Sequence, residues 1–378
     1  MKYLQPTYIE KYKIYDILHN DNNELIIITP YMLNPYSINY ISHENKILKF
    51  NLYKCPHNNT FIYSLNVDYN PNIKLMIDLC IFETFVNKYP IFLDEIIFST
   101  LVKDEDDYIL SWINYHLRLG ISRFIIYDNS YNSTLLTILE DYINKNIVLL
   151  IKWIYPYNDR AQTTQQNHSI YTFKNSKYIG LFDIDEYVNI QSKFNIRNFF
   201  EELIIKKNIN VNEISSFSLL NKFFYNPNNL PVNNNQFLKI FNCDNITLYG
   251  HEKCFVLPKN VITFSVHAVI SGKPMYHVSN AYAYFNHYYY LNKSTRGRNK
   301  TNLIDNSIIK AKTIPDIKAK TIPDIQVKTI SDIKAKTIPD IQIKTIPDIK
   351  AKTISDIKAK TIPDIQNLNT SILLLKKR

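Results

Sequence analysis

From about Glu95 onward the apolar residues of this chain arrive in two alternating rhythms: short unbroken runs, as a buried strand gives, and three-to-four-residue spacings, as an amphipathic helix gives. Residues 96–102 read as a strand. The acids Asp104 to Asp107 follow, and Ile109, Trp112, Ile113 and Leu117 then mark one helical face that Gly120 ends. The spacing predicts a second strand over 123–127, ending in Asp128 and Asn129, a second helix over 135–142 and a third strand over 147–154. A third helix over 165–174 leads to a strand over 178–182, and a helix over 194–206 and strands over 215–224 and 261–270 complete the series. Such alternation predicts an α/β fold with a mainly parallel sheet flanked by helices. Its polar groups gather at the carboxyl ends of the strands, where open α/β sheets bind ligands.

Residues 1–94 have a different texture. Alternating runs at 47–53 and 61–67, separated by a Pro/Asn turn cluster, predict a β-rich extension packed on the main domain, with no chemistry of its own. Residues 309–364 are seven copies of an octad that opens with Ile309 and closes its first copy at Asp316. Five copies carry proline at the seventh place, and Ser331 and Ser355 stand there in the other two, so a continuous helix is excluded. With few bulky side chains per octad, the repeats read as an extended or disordered tail, the alternative being a stacked β array. The division that follows is an extension over 1–94, a main domain over 95–300, a repeat tail over 309–366 and a basic terminus over 367–378.

The chain has 378 residues and is 46% hydrophobic, enough for a large core. Only 5 glycines occur, while Asn, Ile, Lys and Tyr abound everywhere, a bias that fits an AT-rich genome such as that of a large DNA virus or a protist. The formal charge of +10 invites a nucleic-acid reading. Its distribution argues against one: residues 310–364 carry +5 and the last three residues +3, leaving +2 for the first 309. The octads interleave aspartate with lysine and offer no aromatic ring for base stacking. Cys55, Cys80, Cys243 and Cys254 lie far apart with no Cys-x-x-Cys pair, which supports neither a zinc site nor a dense disulfide framework and leaves a Cys243–Cys254 bridge open. The first residues lack the apolar core of a signal peptide, and the longest candidate for a membrane span, residues 75–86, is too short and contains Asp78 and Glu83. The expectation is a protein without a membrane span, located in the cytoplasm, host-cell cytoplasm or virion.

Candidate chemistry sits where the strand over 178–182 ends in Asp183, Asp185 and Glu186. In extended chain, residues two apart point the same way, so the two aspartates would converge on one point while Glu186 points the other way. Hard oxygen ligands of this kind suit Mn2+ or Mg2+, which are usually held by one or two carboxylates and the phosphate oxygens of a substrate. The plainer reading is a solvated turn after a strand.

Five segments decide between them. Residues 101–120 resemble the opening K-N-E-x-x-Y-L-x-E-W-I-x-Y-H-x-x-L-G segment of the family-92 glycosyltransferases and their family-2-like relatives. Residues 124–130 resemble the second strand with its Y-D-N-x-S end, and Gln162 through His168 resembles the Q-x-x-x-x-N-H helix start. Residues 182–187 are similar to the D-x-D-E-F metal motif, and residues 286–297 to the closing N-H-Y-x-x-K-S and R-G stretch. Ser111 stands where the family has Glu, Asp104 where it has Asn, and Asn132 with Ser133 where it has Ser-Asp.

The resemblance implies a GT-A fold and a metal-dependent transfer of a sugar, from a UDP-linked nucleotide-sugar donor, to a hydroxyl of a glycan or protein acceptor. It implies that Asp183 and Asp185 hold Mn2+ or Mg2+ with His287 as third ligand, and that Glu105 and Asp128 contact the nucleoside. Gln162, Asn167 and His168 would read donor or acceptor hydroxyls, and Lys293 and Arg296 would neutralise the diphosphate. An inverting reaction would need a carboxylate base, for which Glu252, beside a segment resembling K-x-x-x-x-P, is the candidate. Each has a plainer counterpart: a helix cap for Glu105, a turn for Asp128, a buried cap for the Gln162–His168 group, an aromatic-cluster ring for His287 and solvated charges for Lys293 and Arg296. Trp112 and His116 read as core. The alternative function is a catalytically silent carbohydrate- or nucleotide-binding module whose tail mediates assembly; oligomeric state is not legible.

Overall fold

A computed structural model describes residues 4–9, 14–30, 40–43, 46–55, 60–77, 80–153, 155, 161–192, 195–224, 242–243, 250–288, 303–305 and 307–310. The octad tail beyond Lys310, the basic terminus, and Lys293 and Arg296 lie outside the described residues.

The N-terminal region is all strand, in the order β1 (Asp16–His19), β2 (Glu24–Pro30), β3 (Tyr40–His43), β4 (Lys46–Leu48), β5 (Asn51–Cys55), β6 (Thr60–Asn66), β7 (Asn72–Ile77), β8 (Cys80–Phe85) and β9 (Asn87–Lys88). These make two sheets, β5-β6-β2-β1-β9 and β4-β3-β7-β8. The alternating run at 47–53 is divided between them, because the chain changes sheet between β4 and β5.

The α/β region continues with β10 (Ile96–Val102), α1 (Ile109–Leu119), β11 (Arg123–Asp128), the short α2 (Leu135–Ile138) and α3 (Glu140–Asn144), β12 (Val148–Lys152), α4 (Ala161–Thr172), β13 (Tyr178–Leu181), β14 (Glu186–Ile190) and α5 (Ile196–Lys207). It ends with β15 (Ser216–Leu219), β16 (Asn221–Phe223), β17 (Asn242–Cys243), β18 (Lys253–Val256), β19 (Val261–Ser265), β20 (Ala268–Gly272), β21 (Met275–His277), β22 (Ala283–His287), β23 (Leu303–Ile304) and α6 (Ser307–Lys310).

Seven strands form the central sheet, ordered β12-β11-β10-β13-β18-β15-β21. All neighbours pair parallel except at β18, which runs against both β13 and β15, so the sheet is mainly parallel as the sequence predicts. The chain moves from β10 outward to β11 and β12, then returns to the other side of β10 as β13. That reversal opens a crevice at the carboxyl ends of β10 and β13, the place where open α/β sheets take ligands.

Apolar residues cover both faces. On one, Phe98, Trp112, Phe124, Phe182, Phe200 and Phe255 build a core with α1 and α5. On the other, Ile97, Ile125, Ile151 and Ile179 pack with α4 and with Leu18, Ile26 and Ile28 from the N-terminal sheet. Helix α4 is therefore enclosed: all its residues except Gln162 are buried although most are polar. Its hydrogen bonds reach Thr60 through Thr164, Ser99 through Gln165 and Phe264 through Asn167.

Two predicted strands turn out to be pairs. Residues 215–224 split into β15 in the central sheet and β16 in a three-stranded sheet, β14-β22-β16, and residues 261–270 form the β19–β20 hairpin. Cys55, Cys243 and Cys254 are free thiols, so the bridge left open above is not formed. Among the described residues no helix is long and apolar enough to cross a membrane.

Candidate functional site

Gly180 of β13 lies opposite Phe98 of β10 and leaves room for its ring: a Cβ on Gly180 would lie 2.3 Å from the Phe98 ring. The strand stops at Leu181, and Ile184 and Asp185 form a turn before β14 begins at Glu186. The turn is closed twice. The Glu186 N–H donates to the Asp183 carbonyl at 3.0 Å, and the Asp183 N–H donates to Oε2 of Glu186 at 2.9 Å. The extended geometry expected for Asp183 to Asp185 is thus corrected, because the chain is leaving one sheet for another. Glu186, expected to point away from its neighbours, belongs to the same cluster.

Helix α1 fixes where β14 starts. Trp112 Nε1–H donates to the Glu186 carbonyl at 2.9 Å, Tyr115 donates to the Val188 carbonyl at 2.7 Å, and the Val188 N–H donates to Nε2 of His116 at 3.2 Å. His116 can accept because its other nitrogen lies 3.0 Å from the Trp112 carbonyl, to which it donates. Burial drives the His116 pKa down to about 3, so the ring stays neutral. Trp112 and His116 are core, as read, and the core they form carries the site.

His287 arrives from β22, which pairs antiparallel with β14 so that Glu186 lies opposite His287. Its Nε2 is 3.3 Å from Oδ2 of Asp185 and its Nδ1 is 3.7 Å from Oε1 of Glu186. Asp185, Glu186 and His287 each offer a ligand atom within 4.8 Å of the other two. Two carboxylates and one imidazole form an oxygen-rich set suited to manganese or magnesium.

A cation of the protein's own completes the cluster. Lys253, at the start of β18 and 1% exposed, places Nζ 2.6 Å from Oδ2 of Asp183 and 3.1 Å from Oε2 of Glu186. Sequence reasoning gave it no role, noting it only as the first residue of the segment over 253–258 that resembles K-x-x-x-x-P. Burial pushes Asp183 upward, but the Lys253 charge and hydrogen bond, joined by His287 and His267, together outweigh it and hold the carboxyl below its usual range. Glu186 goes the other way: burial, joined by the nearby Asp183 and Asp185 charges, pushes it up to about 7 against the pull of Lys253 and His287. Burial opposes charge on His287, yet Asp185 and Glu186 raise its pKa.

A cleft of about 390 Å³ opens at this turn, lined by Leu101, Lys103, Asp104, Glu105, Gln162, Asp183 and Asp185. Its volume falls within the range of small-molecule sites. Glu105 borders it without capping the following helical turn through its side chain, and Gln162 donates to Oδ1 of Asp183 at 2.9 Å.

Four other residues lie elsewhere. Asp128, the last residue of β11, is buried, accepting from the Ser130 N–H at 3.0 Å and from Lys152 at 3.2 Å, level with the ends of β10 and β12. Asn167 is buried against β19, exchanging hydrogen bonds with the Phe264 backbone at 2.8 and 2.9 Å. His168, one helical step further, is fully buried against Asp16 and Tyr127 at 2.8 and 2.7 Å. Glu252 does not border the cleft; its carboxylate accepts from the Gly250 N–H at 2.9 Å and closes a local turn.

A sequence model of glycosyltransferase family 92 matches residues 98–337. The chain belongs to glycosyltransferase family 92. Family-92 proteins of Oryza sativa subsp. japonica and Ricinus communis are 19% and 18% identical to it over 110 and 104 residues. Those matches cover 29% and 28% of this chain and 19% of each relative's length. Among solved structures, S. aureus TarS is similar over 50% of this chain and 36% of its own, at 15% identity and a TM-score of 0.31, a loose likeness. The family-92 match includes both halves of the site, the acid turn after β13 and the histidine at the end of β22.

Proposed function

We propose that this family-92 protein is a metal-dependent glycosyltransferase that moves a sugar from a nucleotide-sugar donor, UDP-linked in the simplest case, to a hydroxyl of a glycan or protein acceptor. One observation carries the reading: an acid turn and a histidine from distant parts of the chain meet beside a ligand-sized cleft at the switch point of the sheet. Family membership narrows the chemistry to glycosyl transfer.

Asp185 and His287 would hold a divalent cation, with Asp183 and Glu186 beside them; either Mn2+ or Mg2+ suits the donor set. When bound, such an ion supplies Lewis-acid stabilisation of a leaving diphosphate. Glu105 and Gln162 line the cleft, where a carboxylate would accept from donor hydroxyls and an amide would donate to them. The buried face of α1 holds the start of β14, so little reorganisation would be needed when a substrate enters. An inverting reaction also requires a proton acceptor, and Glu252 would serve only after leaving its turn with Gly250.

The test is to incubate the protein with Mn2+ and a panel of nucleotide sugars and to measure slow donor hydrolysis, which needs no knowledge of the acceptor. Release of nucleoside diphosphate from one donor, abolished by a chelator, is the expected result. Binding of a donor with no turnover under any metal would favour the silent module instead, in keeping with Ser111 at the family's glutamate position.

A further inference from the structure

Lys253 is a buried cation that neither lines the cleft nor offers a ligand atom to a metal, yet it makes the shortest contact in the acid cluster. We propose that Lys253 is a positioning residue, a built-in cation that claims Asp183 and the Oε2 oxygen of Glu186 and so leaves Asp185 and His287 as the protein ligands of a divalent ion. This rests on the metal-assisted reading of the site and adds to it a division of labour among four charged side chains.

The oxygens decide the division. Asp183 has donors on both: Lys253 Nζ at 2.6 Å on Oδ2 and Gln162 Nε2 at 2.9 Å on Oδ1. A metal could take Asp183 only by displacing an ammonium or an amide. Glu186 has its Oε2 occupied by Lys253 at 3.1 Å and by the Asp183 N–H at 2.9 Å, which leaves Oε1 facing Nδ1 of His287 at 3.7 Å. Asp185 stands apart from this network, its side chain 29% exposed at the cleft, with Oδ2 3.3 Å from Nε2 of His287.

An imidazole gives one nitrogen to an ion, and metal-binding histidines are commonly held through the other nitrogen by a carboxylate behind them. His287 has that environment: the accessible carboxylate of Asp185 on its Nε2 side, the buried carboxylate of Glu186 on its Nδ1 side. Lys253 would fix Glu186, Glu186 would fix the ring, and the ring would present Nε2 to the ion. A compact ammonium on a flexible stem can bridge two carboxylates from one buried point, which the planar fork of arginine does less well.

The experiment is titration of Mn2+ into the full-length protein without any donor, followed by calorimetry, with circular dichroism to confirm folding of each variant. Asp185→Asn should weaken Mn2+ binding by more than about 100-fold, and Glu186→Gln by about 10- to 100-fold. Asp183→Asn should stay within about threefold of the parent. Lys253→Met should weaken binding about tenfold and Lys253→Arg less, and adding Lys253→Met to Glu186→Gln should cost little more, because the lysine acts through the glutamate. Should Lys253→Met fail to fold, Lys253→Arg and Asp183→Asn, the latter at a partly exposed side chain, carry the comparison.

Equal loss of affinity in Asp183→Asn and Asp185→Asn would overturn the division while leaving the metal reading intact. So would full additivity of the Lys253 and Glu186 variants. Absence of Mn2+ binding by the unaltered protein would remove the metal reading itself, and this inference with it.

Discussion

Asp16 with His168 and Asp185 with His287 are both carboxylate–imidazole contacts, at 2.8 and 3.3 Å. The first is sealed, with no side-chain exposure on either partner, and Asp16 also accepts from Tyr89, Asn87 and the Thr7 and Ile17 backbone N–H groups. Burial would push Asp16 up, but His168 and these donors outweigh it and hold the carboxyl below its usual range. It joins β1 of the N-terminal sheet to α4 of the α/β region. The second pair is partly exposed, borders a cleft and is flanked by further acids that compete for one lysine. The same two side-chain types thus make a fastener where every hydrogen-bonding atom is spoken for, and a ligand site where charge is left facing an opening.

The comparison is most sharply broken by exchanging the consequences. Asp185→Asn should reduce Mn2+-dependent donor turnover by at least about 10³-fold, about 4 kcal/mol of transition-state stabilisation, with the melting temperature nearly unchanged. Donor hydrolysis and a thermal melt on the same sample check it. Full activity in that variant would refute the site.

Asp16→Ala should do the reverse, lowering unfolding free energy by about 3–5 kcal/mol because His168 and Tyr89 lose their buried partner. Urea unfolding measures this. A drop below 1 kcal/mol would show that the sealed pair is not a fastener.

Gly180→Ala bears on the open cluster, since β13 leads straight into the acid turn. The added methyl would meet the Phe98 ring, and overpacking of this kind costs about 1–3 kcal/mol. Donor turnover should fall more than stability does, because the acid turn is the continuation of β13.

The smallest effect concerns the wall behind the open cluster. His116 is held neutral with its pKa lowered to about 3 from an ordinary 6.5, so the unfolded chain binds a proton that the folded one refuses. Its contribution is fully present above pH 6.5 and falls by up to about 1.4 kcal/mol per pH unit below that. Between pH 7 and 5.5, His116→Gln should therefore lose less stability than the parent protein, as urea midpoints at the two pH values would show. Equal losses would mean that His116 is not the neutral brace described above.

Much of the α/β region was legible in the chain because its strands are short apolar runs and α1 has one apolar face. Strand β10 has the predicted limits, 96–102, and the helix ending at Gly120 closes with that glycine at φ 102°, where other residues are strained. Helix α4 was legible only from residue 165, four residues late, because it is polar and enclosed on all sides, so no amphipathic stripe marks its start. The Gln162 to His168 motif was read as one functional group. Helical rotation separates it: Gln162 reaches the cleft, while Asn167 and His168 face partners from β19 and β1 that no local pattern announces.

By itself the sequence determined the alternation of strand and helix, the placement of acids after β13, and the family, since these depend on residue type and local spacing. Tertiary structure alone decided that the acid segment is a turn between sheets, that His287 comes to it across the β14–β22 pairing, and that Lys253, 70 residues from Asp183, supplies its counter-charge. Pairing across a sheet brings together residues with no fixed separation along the chain. A carboxylate's partners, and with them its charge, follow from that pairing rather than from its neighbours in sequence.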